Sequence, residues 1–266
     1  MTTMFPEIGL KLWAPNVGGY LNEARRLHAA GEFDYVELYS SPGATPHIPA
    51  WKSVPVPYVI HCAHSLHGFN LSDARAKDIN RKLFAEAVLF FRELRAKWII
   101  VHPGIMGDVV ETVKQLNALM ADSGVAPSQV LVENKPFLNL NNQLCVGGSP
   151  ESMAQLKTEC GTDMVLDVGH AIKYAIGAGR DWQTVLEQMM ALHPLMLHVS
   201  DAEMGHPRDQ HLHLGKGEFD FNAIFRICTA PYLSIETVKD QPDRLDDFLL
   251  DVAFLKQIWM NGLKTP

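Results

Sequence analysis

Short apolar runs alternate with longer amphipathic stretches along the whole chain. The runs Ile8–Trp13, Tyr35–Tyr39, Tyr58–Ala63, Trp98–His102, Gln129–Glu133, Met164–Asp167, Leu195–His198 and Leu233–Glu236 are short and rich in β-branched and aromatic residues, which predicts strands. Between them, Tyr20–Ala30, Asp73–Arg95, Val109–Ser123, Ser149–Thr158, Thr184–Leu192, Phe221–Cys228 and Asp243–Met260 predict helices. In Asp73–Arg95 the apolar positions Leu83, Ala87, Phe90, Phe91 and Leu94 recur at helical spacing, and Ser149-Pro150-Glu151 reads as a helix cap. Pro103-Gly104 stops the fourth strand, and the Pro/Gly-rich loop Ser40–Pro49 follows the second. Phe137–Gly148 is the longest stretch without a clear period, and no internal repeat or linker marks a second domain.

A strand–helix unit repeated in this way predicts a parallel sheet, because parallel strands need crossover connections. A doubly wound sheet would give the same alternation. The polar residues favour the barrel. Strand three ends in His61-Cys62-Ala63-His64, strand four in His102, strand five in Glu133, strand six in Asp167 with His170 just beyond, strand seven in His198 and strand eight in Glu236. A closed parallel barrel converges all these ends on one mouth, where barrel enzymes place their chemistry, whereas an open sheet spreads them along an edge. The expectation is an α/β fold, a (β/α)8 TIM barrel, with residues 1–266 as one domain.

Composition narrows the partners. The chain has 266 residues, 47% of them hydrophobic, enough for one large core. A net charge of −7 argues against a generic nucleic-acid-binding surface. Cys62, Cys145, Cys160 and Cys228 are scattered without a CxxC pair, as expected of free thiols in a reducing compartment. The opening MTTMFPEIGLKLW lacks the basic start and apolar core of a signal peptide, and no run is long enough to span a membrane. These features predict a soluble, cytoplasmic protein with no membrane partner.

The candidate chemistry is densest from His198 to Phe219, HVSDAEMGHPRDQHLHLGKGEF. Imidazoles and carboxylates together suit Zn²⁺, Mn²⁺ or Fe²⁺. Carboxylates converging on one mouth would repel and protonate unless a cation neutralised them. Asp201 reads as a partner that orients an imidazole. Lys135 and Lys216 flank the predicted mouth as candidates to hold a phosphate or a sugar oxygen, and Trp13 as an apolar wall for a sugar ring.

Val101-His102-Pro103-Gly104, Val132-Glu133-Asn134, Leu166-Asp167-Val168-Gly169-His170, His198-Val199-Ser200-Asp201, Asp209-Gln210-His211, Leu214-Gly215-Lys216-Gly217 and Ile235-Glu236-Thr237 follow one another in the order and spacing of the xylose isomerase-like TIM barrels. Within that superfamily the set resembles the endonuclease IV branch, AP endonuclease family 2. The resemblance implies a metal tetrad of Glu133, Asp167, His198 and Glu236. It implies a second metal on a strand-three histidine, His102 and Glu133, and a third on His170, Asp209 and His211. Counting back from Asn70-Leu71 selects His64 as the strand-three ligand, while strand register also allows His61; His64 is the expectation carried forward. One to three divalent ions per chain, Zn or Mn, follow from this set.

The chain departs from the endonucleases where they touch DNA. It has Asp167-Val-Gly-His170 for their D-T-C-H, Glu133-Asn-Lys-Pro136 for their E-N-T-A-G, and His67 for a tyrosine that probes the duplex. The loop after strand two holds no Arg or Lys before Lys52. The function expected is a metal-dependent enzyme with a di- or trinuclear site, of phosphoester hydrolase type, acting on a small phosphorylated or polyhydroxylated substrate. The alternative is a single-metal sugar isomerase or epimerase in which Glu133 and Glu236 transfer protons. A second alternative is endonuclease IV-like repair of abasic sites, and nucleic acid is not the favoured partner.

Overall fold

Every predicted apolar run becomes a strand, its ends moved by at most two residues. The computed structural model describes residues 5–262 except Pro207. Its strands are β1 (Glu7–Trp13), β2 (Tyr35–Tyr39), β3 (Tyr58–His61), β4 (Ile99–Val101), β5 (Gly104–Ile105), β6 (Val130–Glu133), β7 (Cys145–Val146), β8 (Asp163–Asp167), β9 (Met196–Val199) and β10 (Tyr232–Ile235). Eight of them close a barrel in the order β1-β2-β3-β4-β6-β8-β9-β10 and back to β1, every pairing parallel. The chain is thus a (β/α)8 barrel. The crossovers are carried mainly by α1 (Gly19–Ala29), α3 (Lys77–Glu93), α4 (Val109–Ser123), α5 (Pro150–Cys160), α7 (Trp182–Met190), α8 (Phe221–Ile227) and α9 (Asp246–Gly262).

Three features go beyond the sequence reading. A short helix α2 (Ile48–Lys52) closes the Pro/Gly loop after β2. Helix α6 (Val168–Gly177) follows β8 directly and buries most of its residues, so it has no polar stripe to reveal its period. The segments after β4 and β6 pair as the antiparallel strands β5 and β7, and the aperiodic stretch Phe137–Gly148 thereby becomes a flap beside the mouth.

Strand periodicity sorts the barrel interior into layers. Tyr35, Val59, Ile100, Leu131, Val165 and Met196 pack as an apolar plug inside the ring. Burying side chains of this kind is worth roughly 1.5–3 kcal/mol each, which offsets the cost of the charged layer above them. Two residues further along the same strands stand Glu37, His61, His102, Glu133, Asp167 and His198, with Lys11 and Ser234 in the same layer on β1 and β10. Gly9 leaves room for the plug: a Cβ there would lie 2.5 Å from the Tyr35 ring and 2.6 Å from Ser234 Oγ.

Candidate metal centre

The parity that builds the plug also delivers the donors to the mouth. Three groups of side chains hold one donor atom each within 4.8 Å of the others: His61, His102 and Glu133; Glu133, Asp167, His198 and Glu236; and His170, Asp209 and His211. Glu133 belongs to two of them. Its Oε2 lies 3.0 Å from His61 Nε2, 3.1 Å from His102 Nε2 and 3.4 Å from His198 Nδ1. His198 Nδ1 is also 2.8 Å from Glu236 Oε2.

Local structure fixes each donor. His61 Nδ1–H donates to the Cys62 carbonyl at 2.8 Å, which points Nε2 at Glu133. Asp167 caps α6, accepting from His170 N at 2.7 Å, so the carboxylate and the imidazole are positioned by the same helix start. Asn134 clamps the ends of β6 and β8: its amide accepts from Asp167 N at 2.7 Å and donates to Asp167 O at 3.0 Å. His170 Nδ1 donates to Asn134 O at 2.9 Å, leaving Nε2 facing Asp209 Oδ2 at 3.4 Å. His211 adopts φ +48°, a left-handed conformation costly for a non-glycine residue, and such strain concentrates at functional sites.

The donors are ready for cations. Among the described residues, thirteen buried side-chain polar atoms lack a hydrogen-bond partner, and eight of them belong to His102, Glu133, Asp167, His198, Asp209, His211 and Glu236. Orphaned lone pairs clustered in this way fit divalent ions bound by nitrogen and oxygen. The charge balance says the same. Burial pushes the Asp167 carboxyl up to about 6, with Asp209, Glu236 and Glu133 adding to the shift and His170 opposing it. Burial opposes a charge on His198, yet Glu37, Glu133 and Glu236 hold its pKa well above the usual imidazole range. Burial, and then the neighbouring Lys135, keep His102 neutral and able to bind a metal.

The expected residues divide into three sets. His102, Glu133, Asp167, His170, His198, Asp209, His211 and Glu236 come together in the donor groups. His61, the register alternative, occupies the strand-three position in them. His64 stands outside them at the cavity wall, its Nδ1 accepting from Leu66 N at 3.3 Å and its pKa lowered by burial to about 3. Lys135 lines the same cavity, with Nζ 3.3 Å from His102 Nδ1. Lys216 is exposed and Trp13 is 40% exposed, and neither is among the residues lining that cavity. Asp201 orients no imidazole. Its carboxylate accepts from the backbone N–H groups of Ala202, Gly215, Gly217 and Phe219 at 2.8–3.1 Å, bracing the loop that carries Asp209 and His211.

Two buried residues escaped the sequence reading. Glu37 is fully buried, its Oε2 2.8 Å from His198 Nε2, and Lys11 lies 3.2 Å from Glu37 and 2.5 Å from Glu236. The signal was a single charge inside each of the apolar runs GLKLW and YVELY, which a barrel can bury only in pairs.

A cavity of about 360 Å³ opens over the donors, lined among others by His64, Leu66, Lys135, Leu138, Leu140 and Arg208. That volume is at the small-molecule end of ligand sites. No helix among the described residues is long and apolar enough to cross a membrane.

Known proteins are similar to this chain in sequence or in fold. The chain is 24% identical over 229 residues to the uncharacterized protein MJ1614 of Methanocaldococcus jannaschii, covering 78% of this chain and 79% of that one. Endonuclease IV from Thermus thermophilus superposes with a TM-score of 0.68 at 19% identity, covering 95% of this chain and 100% of the other. A D-tagatose 3-epimerase-like protein superposes with a TM-score of 0.68 at 17% identity, covering 97% and 98%. At these identities the superpositions speak for the fold. The family model of the xylose isomerase-like TIM barrels matches residues 25–258, and the chain belongs to that family.

Proposed function

We propose that the protein is a divalent-metal-dependent phosphoester hydrolase with a di- or trinuclear centre, acting on a small phosphorylated substrate. The observation that carries this reading is the set of three donor groups joined through Glu133. A single-metal isomerase has no use for His61, His102, His170, Asp209 and His211 together. Bound ions would supply Lewis acidity and a water of lowered pKa. Glu133, Asp167, His198 and Glu236 would hold one ion, His61, His102 and Glu133 a second, and His170, Asp209 and His211 a third. Zn or Mn suits this mixture of imidazole and carboxylate. A metal on His102 Nε2 requires the proton on Nδ1, which then cannot accept from Lys135. That leaves the Lys135 ammonium for an anionic group in the cavity, with Arg208 as a second cation in its wall.

A second reading, a sugar isomerase or epimerase with one ion at the tetrad, is favoured by the modest cavity with few cations. The epimerase-like neighbour named above points the same way. Endonuclease activity has the endonuclease IV likeness in its favour but lacks a basic mouth. The test is metal analysis of protein purified without chelator, followed by assay against small phosphomonoesters, phosphodiesters, ketoses and ketose phosphates with Zn²⁺ and Mn²⁺. Two or three ions per chain and release of phosphate or alcohol are expected. One ion per chain with interconversion of sugars would establish the isomerase instead.

A further inference from the structure

Lys11 and Glu37 close a ring of charge with two members of the tetrad, His198 and Glu236. Lys11 Nζ is 2.5 Å from Glu236 Oε1 and 3.2 Å from Glu37 Oε1. Glu37 Oε2 is 2.8 Å from His198 Nε2, and His198 Nδ1 is 2.8 Å from Glu236 Oε2. Ser234 Oγ donates to Glu37 Oε2 at 2.5 Å, and Tyr35 Oη lies 3.0 Å from that hydroxyl. Lys11 is 5% exposed and Glu37, His198 and Ser234 are fully buried. Lys11 and Glu37 are paired across β1 and β2, and Ser234 and His198 across β9 and β10, so barrel register fixes the ring.

We propose that Lys11 and Glu37 are positioning residues that set the coordination of the tetrad ion, acting through Glu236 and His198. The inference rests on the metal-centre reading of the site. The ammonium stands against Glu236 Oε1, so that glutamate would offer an ion mainly Oε2, which has no hydrogen-bond partner. Glu37 Oε2 faces His198 Nε2 at 2.8 Å, a placement that would hold the proton on Nε2 once an ion displaced the one on Nδ1, and would make the imidazole a stronger donor. Lys11 also neutralises Glu37, so a carboxylate can stand behind the ligand without itself drawing in an ion. With Lys11 against Oε1 and an ion held at Oε2, Glu236 would be a weakened base toward a carbon-bound proton, which would disfavour two-base epimerisation.

The two residues make opposite predictions. Full-length protein stripped of metal is titrated with Zn²⁺ against a chromophoric chelator and with Co²⁺ followed by its visible absorption. Lys11→Met should free Glu236 Oε1 and remove a competing cation, raising affinity at the tetrad by about tenfold and shifting the Co²⁺ spectrum toward a higher coordination number. The metal-free form of that variant should melt roughly 10 °C lower, because buried carboxylates lose their partner. Glu37→Gln keeps the shape and should lower affinity by roughly 10- to 100-fold with the spectrum preserved. Lys11→Arg, which keeps the charge, should stay near wild type.

A Lys11→Met protein with wild-type affinity and spectrum would overturn the proposal, as would both variants weakening binding alike, the mark of a merely structural ion pair. If Lys11→Met does not fold, wild-type affinity in Glu37→Gln overturns it. Wild-type protein that binds no ion at the tetrad would bring down the metal-centre reading and this inference together, whereas the preceding outcomes leave the metal centre standing.

Discussion

His61 and His64 sit on one short segment yet face different partners. The Cys62 carbonyl accepts a hydrogen bond from His61 Nδ1–H and turns Nε2 toward Glu133 and His102. His64 instead uses Nδ1 to accept from Leu66 N, so its neutral ring carries the proton on Nε2 and faces the cavity as a donor. Replacing His61 with Ala should therefore lower the metal content of protein purified without chelator by about one ion per chain, and His64→Ala should leave it unchanged. The reverse pattern would return the ligand to His64. The same logic applies to Asp209, whose carboxylate lies 3.4 Å from His170 Nε2 and 3.6 Å from His211 Nε2. Asp209→Asn should remove the third ion alone, a loss of about one per chain with the tetrad still loaded. An unchanged count in Asp209→Asn combined with His211→Ala would mean that no third site exists.

At the scale of elements, the donors depend on loops that the barrel itself does not hold. The segment between β9 and α8 carries Asp209 and His211, and Asp201 ties it down at both ends. A backbone pair joins Asp201 to Leu212, and the Asp201 carboxylate gathers the N–H groups of Gly215, Gly217 and Phe219. Gly217 admits this arrangement because a Cβ there would come within 2.4 Å of Asp201 Oδ1. Hydrogen bonds to a buried charge contribute about 1.5–3 kcal/mol each when removed singly. Asp201→Ala should cost about 3 kcal/mol in denaturant unfolding, and should weaken the His170–Asp209–His211 ion more than the tetrad ion. Equal weakening of both, or no loss of stability, would deny the loop this role. The barrel strands were legible because fully buried parallel strands read as continuous apolar runs, and their polar ends fell where a closed ring brings them together. The flap of β5 and β7 was not legible, since two-residue strands carry no period. Nor was α6, whose residues are apolar nearly all round. The strand-three ligand turned on a choice between two signals. Spacing to Asn70-Leu71 pointed to His64, while the two-residue period from Tyr35–Glu37 and Leu131–Glu133 across the neighbouring strands puts Val59 in the plug and His61 above it. Lys11 and Glu37 each stand as an isolated charge in an apolar run, which is informative because the interior must answer it with a partner.

For the whole molecule, the question is what size of substrate the mouth admits. A protein that grips duplex DNA neutralises several phosphates and releases their counterions, so its binding falls steeply with salt. This chain carries a net charge of −7, and the cations lining the cavity are Lys135 and Arg208 beside the histidines. At the opening Leu66 and Leu140 are exposed instead, and the flap also exposes Met106 and Leu144. Aliphatic side chains at these positions suit the organic part of a small ester, and they give phosphates along a duplex nothing to pair with. Binding to an abasic-site duplex is therefore expected to be weak at physiological salt and lost on modest addition of salt. Incision of that duplex in the presence of Zn²⁺ or Mn²⁺ should be far slower than turnover of a small phosphoester. The comparison is a single-turnover cleavage assay with a labelled abasic oligonucleotide beside a phosphoester panel, run across a salt series. Incision on the order of 1 s⁻¹ or faster would overturn the small-substrate reading, since that rate belongs to a working enzyme and not to an adventitious activity.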